Sequence, residues 1–543
     1  MERASDLLLG VSMLVEPTKT KIIDCAHSAI EELCKMCVSG ESLWNQHKDH
    51  KYQIINDIEY LTQFGHADAT LREIIKLVEV GETQILPSFD SCETNPNFMP
   101  RGDCDDALQI EASRDMACVN ITPIKLVELL MNVNEWSTTF YNVVSKATLL
   151  GSFSDGVEES FDGKLNVMSA EFHLPSPAVP TRECYFARYC KQLSHDNWAV
   201  VDVSLENIFS SPSNNLRRRP SGCMIIGMPP NDYSQVIWVE HMEVDHSQLN
   251  DLFKPLVTSG LAFGATRWLS SIIRHIEWSQ ALNSTKLVAD HRVLIPQTGR
   301  TSFLRLADRM MRSFCANLTA SNPWMRLAPF RGSTDVRVMI NNNMNGTTNK
   351  PLGTTVVFCT TIWLNVSPNR LFNFLRHEKS RNKWDTLSRK LSIREVAYMI
   401  TGEHLENRVS LLQASTSKGK TEIFYIQESY ADTTISYVTY APLDESAVAY
   451  LAKGSNPDNV IVFPSGFAII PGGLPKDGDD QGKNKSNNES LLTISFHLID
   501  KTNNSSSISP DSVETIYGII TETVTSIKDS ILYHSRLNNW VLD

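Results

Sequence analysis

The chain repeats itself at an interval of about 245 residues, and this constrains its fold more than any other feature. Asn120-Ile121-Thr122-Pro123 returns as Asn365-Val366-Ser367-Pro368, and Asn134-Glu135-Trp136-Ser137-Thr138 returns as Asn382-Lys383-Trp384-Asp385-Thr386. Pro220-Ser221-Gly222-Cys223-Met224-Ile225-Ile226 returns as Pro464-Ser465-Gly466-Phe467-Ala468-Ile469-Ile470. The three matches keep their order. An interval this long is a whole domain rather than a solenoid unit, so two copies of one fold are expected in tandem.

Composition limits the class. The chain has 543 residues, 42% hydrophobic and 21% charged, enough material for two or three cores. No apolar run is long enough to span a membrane, and Met1–Gly10 lacks the basic start and long apolar stretch of a secretory signal. A cytosolic or nuclear protein is therefore expected, with its eleven cysteines reduced. The net charge of −12 disfavours direct nucleic-acid binding, which needs a concentrated basic face.

Patterning gives each copy the same order of elements. Residues 20–38 read as an amphipathic helix, with Ile22, Ala26, Ile30, Leu33 and Cys37 at helical spacing, and residues 69–80 read as a second. The apolar runs Ala117–Ile121 and Val356–Leu364 read as strands. Thr122-Pro123 and Ser367-Pro368 then open equivalent helices, each with an N-cap residue before a first-turn proline. Alternating segments such as Tyr185–Tyr189, Ala199–Val203, Val236–Glu243, Glu422–Gln427, Ile435–Tyr440 and Leu491–Leu498 read as antiparallel strands. Apolar-faced helices over about 247–282 and 511–533 close the copies. Residues 81–106, 210–219, 341–350 and 472–488 read as loops.

Catalytic and metal signatures are lacking. There is no phosphate-binding loop, no G-x-S-x-G and no H-E-x-x-H. Cys34-Lys35-Met36-Cys37 is a lone C-x-x-C, better read as two thiols on a buried helix face than as half a zinc site. His47-Lys48-Asp49-His50 reads as a solvated turn. Asp103-Cys104-Asp105-Asp106 lacks the spacing of a calcium loop. Arg217-Arg218-Arg219 reads as a solvated loop. Gly260 and Gly264 are expected to bring the closing helix close to the sheet. No catalytic and no metal-binding residue is assigned.

A long helix over a curved antiparallel sheet, made twice, resembles the helix-grip fold of START lipid-transfer domains, an α+β class. Residues 19–44 resemble the segment that opens the START region of plant class IV homeodomain–leucine zipper transcription factors. So do Val179–Glu183, Tyr189–Gln192, Asp232 with Trp238–His241, Gly260–Trp268 and Phe463–Gly473. The resemblance implies an N-terminal tail over 1–18, a START domain over 19–283, and over 284–543 a START-associated domain, which the repeat identifies as a diverged second grip. The family's homeodomain and zipper have no counterpart pattern here, so this chain is expected to lack direct DNA binding.

What the resemblance implies is a nuclear, non-enzymatic regulatory module with a lipid or sterol as ligand, no other cofactor, and transcription-related protein partners. Steroid-carrier members place a Pro-Arg-Asp-Phe-Val-x-Val-Arg strand in the cavity, with an acid on the preceding strand pairing with the second arginine. Arg182 and Arg188 keep that spacing of six, and Glu171 is the nearest upstream acid. Glu171, Arg182 and Arg188 are thus the ligand-site candidates, with Glu171–Arg188 expected as a buried pair. The second copy has no such arginine pair and is expected to be structural or interactive. The alternative is an interaction scaffold whose grip is filled by side chains.

Overall fold

The computed structural model describes residues 18–40, 42–46, 52–64, 108–154, 160–205, 208, 216–229, 232–284, 295–327, 335–343, 353–472, 489–500 and 510–537. The helix expected over 69–80, the loop over 81–106, the turn at His47–His50 and all but Gly472 of the 472–488 loop lie outside them.

The first copy opens with helix α1 (Thr18–Val38), strands β1 (Trp44–Gln46) and β2 (Gln53–Ile55), helix α2 (Asp57–Phe64) and strand β3 (Gln109–Val119). Helices α3 (Pro123–Met131) and α4 (Val133–Thr139) follow. Then come β4 (Val144–Ser154), β5 (Lys164–Phe172), β6 (Arg182–Ser194), β7 (Asn197–Ser204), β8 (Leu216–Arg218), β9 (Ser221–Met228) and β10 (Tyr233–Val244). Helices α5 (Lys254–Thr258) and α6 (Ala265–Asn283) close it.

The second copy repeats the plan with helix α7 (Gln297–Asn317), strands β11 (Met325–Arg326), β12 (Val336–Asn343) and β13 (Gly353–Leu364), and helices α8 (Pro368–Arg376) and α9 (Glu378–Trp384). It continues through β14 (Ser392–Ile400), β15 (Arg408–Ser415), β16 (Thr421–Ala431) and β17 (Ser436–Leu443) to helix α10 (Glu445–Ala452). Strands β18 (Ser465–Pro471) and β19 (Ser490–Asp500) and helix α11 (Pro510–Leu537) end it.

Each copy forms one antiparallel sheet, and the two have the same order: β1-β2-β3-β10-β9-β7-β6-β5-β4, and β11-β12-β13-β19-β18-β17-β16-β15-β14. The chain therefore contains two tandem helix-grip domains. The repeated motifs mark the same points in each. Trp136 and Trp384 sit on α4 and α9 and are buried under their sheets. Gly222 and Gly466 begin β9 and β18, where a Cβ would lie 2.1 Å from the Val200 carbonyl oxygen and 2.3 Å from that of Val438. Only a residue without a side chain fits so close to the neighbouring strand.

Two expectations need correction. The closing segment of the first copy is two helices rather than one, because Gly260 adopts a left-handed φ of 77° between them and α6 begins only after its cap residue Gly264. Gly264 still makes the close approach. A Cβ there would meet the Ser113 hydroxyl at 2.7 Å, while Ser113 Oγ accepts from the Ala265 amide at 3.0 Å. The hydroxyls of Thr122 and Ser367 occupy N-cap positions but make no cap hydrogen bond. The proline after each sets the helix start. It is Asn132, before α4, whose side chain accepts from the Asn134 and Glu135 amides.

The helices and sheets alternate in five layers. Helix α1 buries Ile22, Ala26, Ile30 and Leu33 on the outer face of the first sheet, against Val167, Ala187, Val201 and Val239. Each such fully buried Ile or Leu contributes about 1.5–3 kcal/mol. The inner face grips α3, α4 and α6. Helix α7 covers the outer face of the second sheet with Phe303, Leu306 and Met310 against Val409, Leu411, Ile426 and Ala441. The end of α6, through Trp278 and Ala281, joins that same cluster. Helix α11 fills the inner face of the second sheet with Ile520, Val524, Ile527 and Ile531. Helix α6 is thus packed between two sheets, which explains why it is buried around most of its circumference.

Candidate functional site

Strand pairing decides which side chains enter the first grip. Arg188 lies opposite Asn166 on β5 and Asp202 on β7, and Phe172 lies opposite Arg182. Side chains alternate along a strand, so Arg182, Cys184, Phe186 and Arg188 share the inner face of β6. Trp238, Glu240 and Met242 share that of β10. The interior is largely aromatic. The Trp268 ring from α6 stacks on Trp238 with centroids 5.3 Å apart and on Trp136 at 6.0 Å, and Phe140 and Phe172 close around it.

A chain of charges runs through these rings. Arg188 makes a two-pronged pair with Asp202, Nε to Oδ1 at 2.7 Å and Nη2 to Oδ2 at 2.8 Å, and its Nη1 donates to the Leu130 carbonyl. Its guanidinium lies 4.1 Å from the Trp136 ring centroid. Arg218, fully buried, bridges Asp202 at 3.4 Å and Glu240 at 2.9 Å. Glu240 Oε1 also accepts from Trp238 Nε1 at 2.9 Å. Burial pushes the Glu240 carboxyl up to about 7, against the pull of Arg218. Several buried atoms here have no partner among the described residues: Glu240 Oε2, Arg218 Nε and Nη1, Trp136 Nε1 and Trp268 Nε1.

A second cluster stands at the mouth. Arg182 pairs with Glu111 at 2.7 Å and lies 3.8 Å from the Phe263 ring, and His246 Nε2 meets Glu111 at 2.7 Å. Burial would raise the Glu111 carboxyl, but Arg182 and His246 overcome it and hold its pKa below the ordinary value. Glu111, Glu240, Ser113, Met242 and Phe263 line a cleft of about 90 Å³ between β3, β10 and the turn that precedes α6. The thiols of Cys190 and Cys223 on the same inner face are pushed up by burial, so neither is an activated nucleophile. Among the described residues no group of three His, Cys, Asp or Glu could hold a metal ion.

The expected Glu171–Arg188 pair does not form. Glu171 lies opposite Glu183, one register step out of phase with Arg188, and so points to the other face of the sheet. Its partners are the hydroxyls of Ser145, Thr181 at 3.4 Å and Ser321 at 2.9 Å, and Lys146 at 3.6 Å. Ser321 follows α7, so Glu171 belongs to the joint between the domains. Arg182 and Arg188 do enter the grip, with Glu111 and Asp202 as their acids. Arg218 overturns the reading of Arg217–Arg219 as a solvated loop. On β8 the middle arginine points inward, while Arg217 and Arg219 pair with Glu243. The alternation of one short strand was the available signal.

The second grip holds one buried cation of its own. Arg381 pairs with Asp385 at 3.0 Å and Gln427 at 3.2 Å, with its guanidinium 4.2 and 4.3 Å from the Tyr440 and Tyr425 rings. Between the domains, Arg274 of α6 meets Glu428 on the outer face of β16 at 2.5 Å. His173 bridges the Tyr141 carbonyl and Thr319, both at 2.9 Å.

Comparison with known proteins agrees with this architecture. Residues 93–277 match the family profile of the START domain, and residues 296–532 match that of the PDF2-like C-terminal domain. The chain is therefore a START-type helix-grip protein with a second, PDF2-like grip. It is 33% identical over 526 residues to the homeobox-leucine zipper protein HDG1 of Arabidopsis thaliana, covering 94% of this chain and 61% of that protein. It is 32% identical over 518 residues to the homeobox-leucine zipper protein ROC8 of Oryza sativa subsp. japonica, covering 88% of this chain and 71% of that protein. The chain belongs to the class IV homeobox-leucine zipper family. It spans about three fifths of the length of HDG1. Among solved structures, human StAR-related lipid transfer protein 5 aligns at 10% identity and a TM-score of 0.31, covering 48% of this chain and 98% of that one. No helix among the described residues is long and apolar enough to cross a membrane.

Proposed function

We propose that this chain is a non-enzymatic regulatory module of a homeobox-leucine zipper transcription factor. It acts in the nucleus through protein partners, and its first grip is the element that responds to a sterol or other lipid. The observation that carries this reading is the interior of that grip. Stacked aromatic rings surround paired charges, and Glu240, Arg218 and Trp268 each have a buried polar atom without a partner among the described residues. An unmet buried polar atom costs about 1–3 kcal/mol, so a ligand with a polar head and an apolar body would relieve that cost. The protonated thiols of Cys190 and Cys223 support a binding role over a catalytic one.

A second reading has its own observation. The cleft of about 90 Å³ is small, whereas small-molecule sites span roughly 300–1,000 Å³. Behind it, the rings of Trp136, Phe140, Phe172, Trp238 and Trp268 pack on one another. This favours a grip packed shut, serving as a protein–protein scaffold. Native mass spectrometry of the full chain, purified from a eukaryotic host and compared with its denatured mass, separates the two. The full chain is needed because α6 packs against both sheets. A discrete extra mass, released on denaturation and soluble in organic solvent, supports the lipid-responsive module. A bare chain that takes up neither sterol nor phospholipid from vesicles sinks it and leaves the scaffold.

A further inference from the structure

The two copies diverge sharply in charge at one place. From His377 to Arg394 the second copy carries six cationic side chains, Lys379, Arg381, Lys383, Arg389, Lys390 and Arg394, against Glu378 and Asp385. The matching stretch of the first copy, 129–146, carries only Glu135 and Lys146. The rest of the molecule is acidic, since the whole chain has a net charge of −12.

The fold gathers these cations into one lobe. Helix α9 and the start of β14 lie side by side, joined by the Asn382 amide to the Leu391 carbonyl at 3.2 Å and by the Glu395 amide to Glu378. Buried Trp384 anchors the lobe. Both acids are engaged within the protein, Glu378 by that amide and Asp385 by buried Arg381. The other five cations are exposed, and of them Arg389 pairs with Glu522 and donates to the Ser526 hydroxyl at 3.0 Å, both on α11. Among them the turn at residues 386–388 is fixed by Asp385, which accepts from the Leu387 amide at 3.1 Å and the Ser388 hydroxyl at 2.7 Å. That turn holds the Leu387 side chain 71% exposed.

We propose that this lobe is a docking surface for an anionic lipid bilayer. Clusters of four to eight Lys and Arg are attracted to anionic headgroups, and an apolar side chain among them gains by entering the interface. The cations sit on one compact lobe that also exposes Leu387, not along the extended stripe that following a nucleic-acid backbone requires. The surface is distinct from the first grip, and its role does not depend on whether that grip holds a ligand.

The test is co-sedimentation of the full chain with phosphatidylcholine vesicles, with and without phosphatidylserine, at low and high salt. The expected result is binding to the anionic vesicles only, weakened by salt. The K379E/K390E/R394E variant should bind on the order of a hundredfold more weakly, and L387S about tenfold more weakly, both with the unfolding temperature of the parent. If the triple variant does not fold, K390E alone with the salt dependence carries the test. Failure to bind anionic vesicles, equal binding to neutral ones, or undiminished binding by the charge variants overturns the proposal. So does tighter binding to a short DNA duplex that L387S leaves unchanged, which would reassign the lobe to nucleic acid.

Discussion

The joint between the domains yields the sharpest prediction. Arg274 Nη2 and Glu428 Oε1 lie 2.5 Å apart in a buried site, with the guanidinium 4.1 Å from the Tyr430 ring. The pair is incompletely satisfied, because Arg274 Nη1 and Glu428 Oε2 have no partner among the described residues. Burial pushes the Glu428 carboxyl from 4.5 up to about 7 despite Arg274, so desolvation outweighs the attraction. The two halves should therefore respond unequally to substitution. At pH 6 the folded Glu428 carboxyl is mostly protonated, and protonating a group whose unfolded pKa is 4.5 costs about 2 kcal/mol there. Glu428→Gln supplies the neutral form without that cost and should stabilise by up to about 2 kcal/mol. Arg274→Met leaves the protonated carboxyl and its cost in place, so it should bring no such gain. The double variant Arg274→Met with Glu428→Leu removes both charges and should recover to within about 1 kcal/mol of the parent or exceed it. Urea unfolding at pH 6, followed by tryptophan fluorescence, reads all three, and Trp278 is a local reporter 5.8 Å from the guanidinium. A loss of several kcal/mol in Glu428→Gln, or a double variant less stable than the parent by more than about 1 kcal/mol, would refute the argument.

Further measurements follow from the same physics. Glu428 binds its proton more tightly folded than unfolded, so its contribution to stability falls as pH rises from about 4.5 to about 7, and the double variant should lose that slope in a pH series of urea midpoints. His173 has the opposite sign. Burial lowers it from 6.5 to about 4, so the unfolded chain takes the proton first and stability falls as pH drops below 6.5, by up to about 3 kcal/mol; in the same assay His173→Gln should flatten the acid limb. Gly222→Ala drives a Cβ into the Val200 carbonyl and should cost about 1–3 kcal/mol, whereas Gly518→Ala on α11 meets nothing within 4 Å and should stabilise by up to about 1 kcal/mol in thermal unfolding. Arg218→Met, which leaves Glu240 without its cation, should lower the urea midpoint by an amount equivalent to about 3–5 kcal/mol, while Arg217→Met, half exposed, should stay within about 0.5 kcal/mol.

The parts of this structure that could be read from sequence are those where local pattern and fold agree. The repeated tryptophans mark Trp136 and Trp384 because each fills the same position under its sheet. The repeated glycines mark Gly222 and Gly466 because each strand passes too close to its neighbour for a Cβ. Helix α1 follows from its apolar spacing because one face meets the first sheet. The site charges were less legible, for a reason of register. Finding the acid for Arg188 requires knowing that β7 places Asp202 opposite it and that Glu171 falls on the other face. Residue spacing along one strand does not contain that pairing. Arg218 was hidden differently, because three successive arginines resemble a solvated loop unless the short strand β8 is recognised.

The relation between the copies explains a further gap. A helix that closes one domain is expected to be apolar on one face, yet α6 buries Trp268 in the first sheet and Trp278 against the second. The outer face of the second sheet is apolar because α6 and α7 cover it, as α1 covers that of the first. Tyr430, Ile435 and Tyr437 of the second copy even join the core cluster of the first. Separating the copies would expose these faces and strand both Arg274 and Glu428. The grip that would receive a ligand and the domain that follows it are therefore joined through one helix, and any shift of α6 in the first sheet must be accommodated at the second.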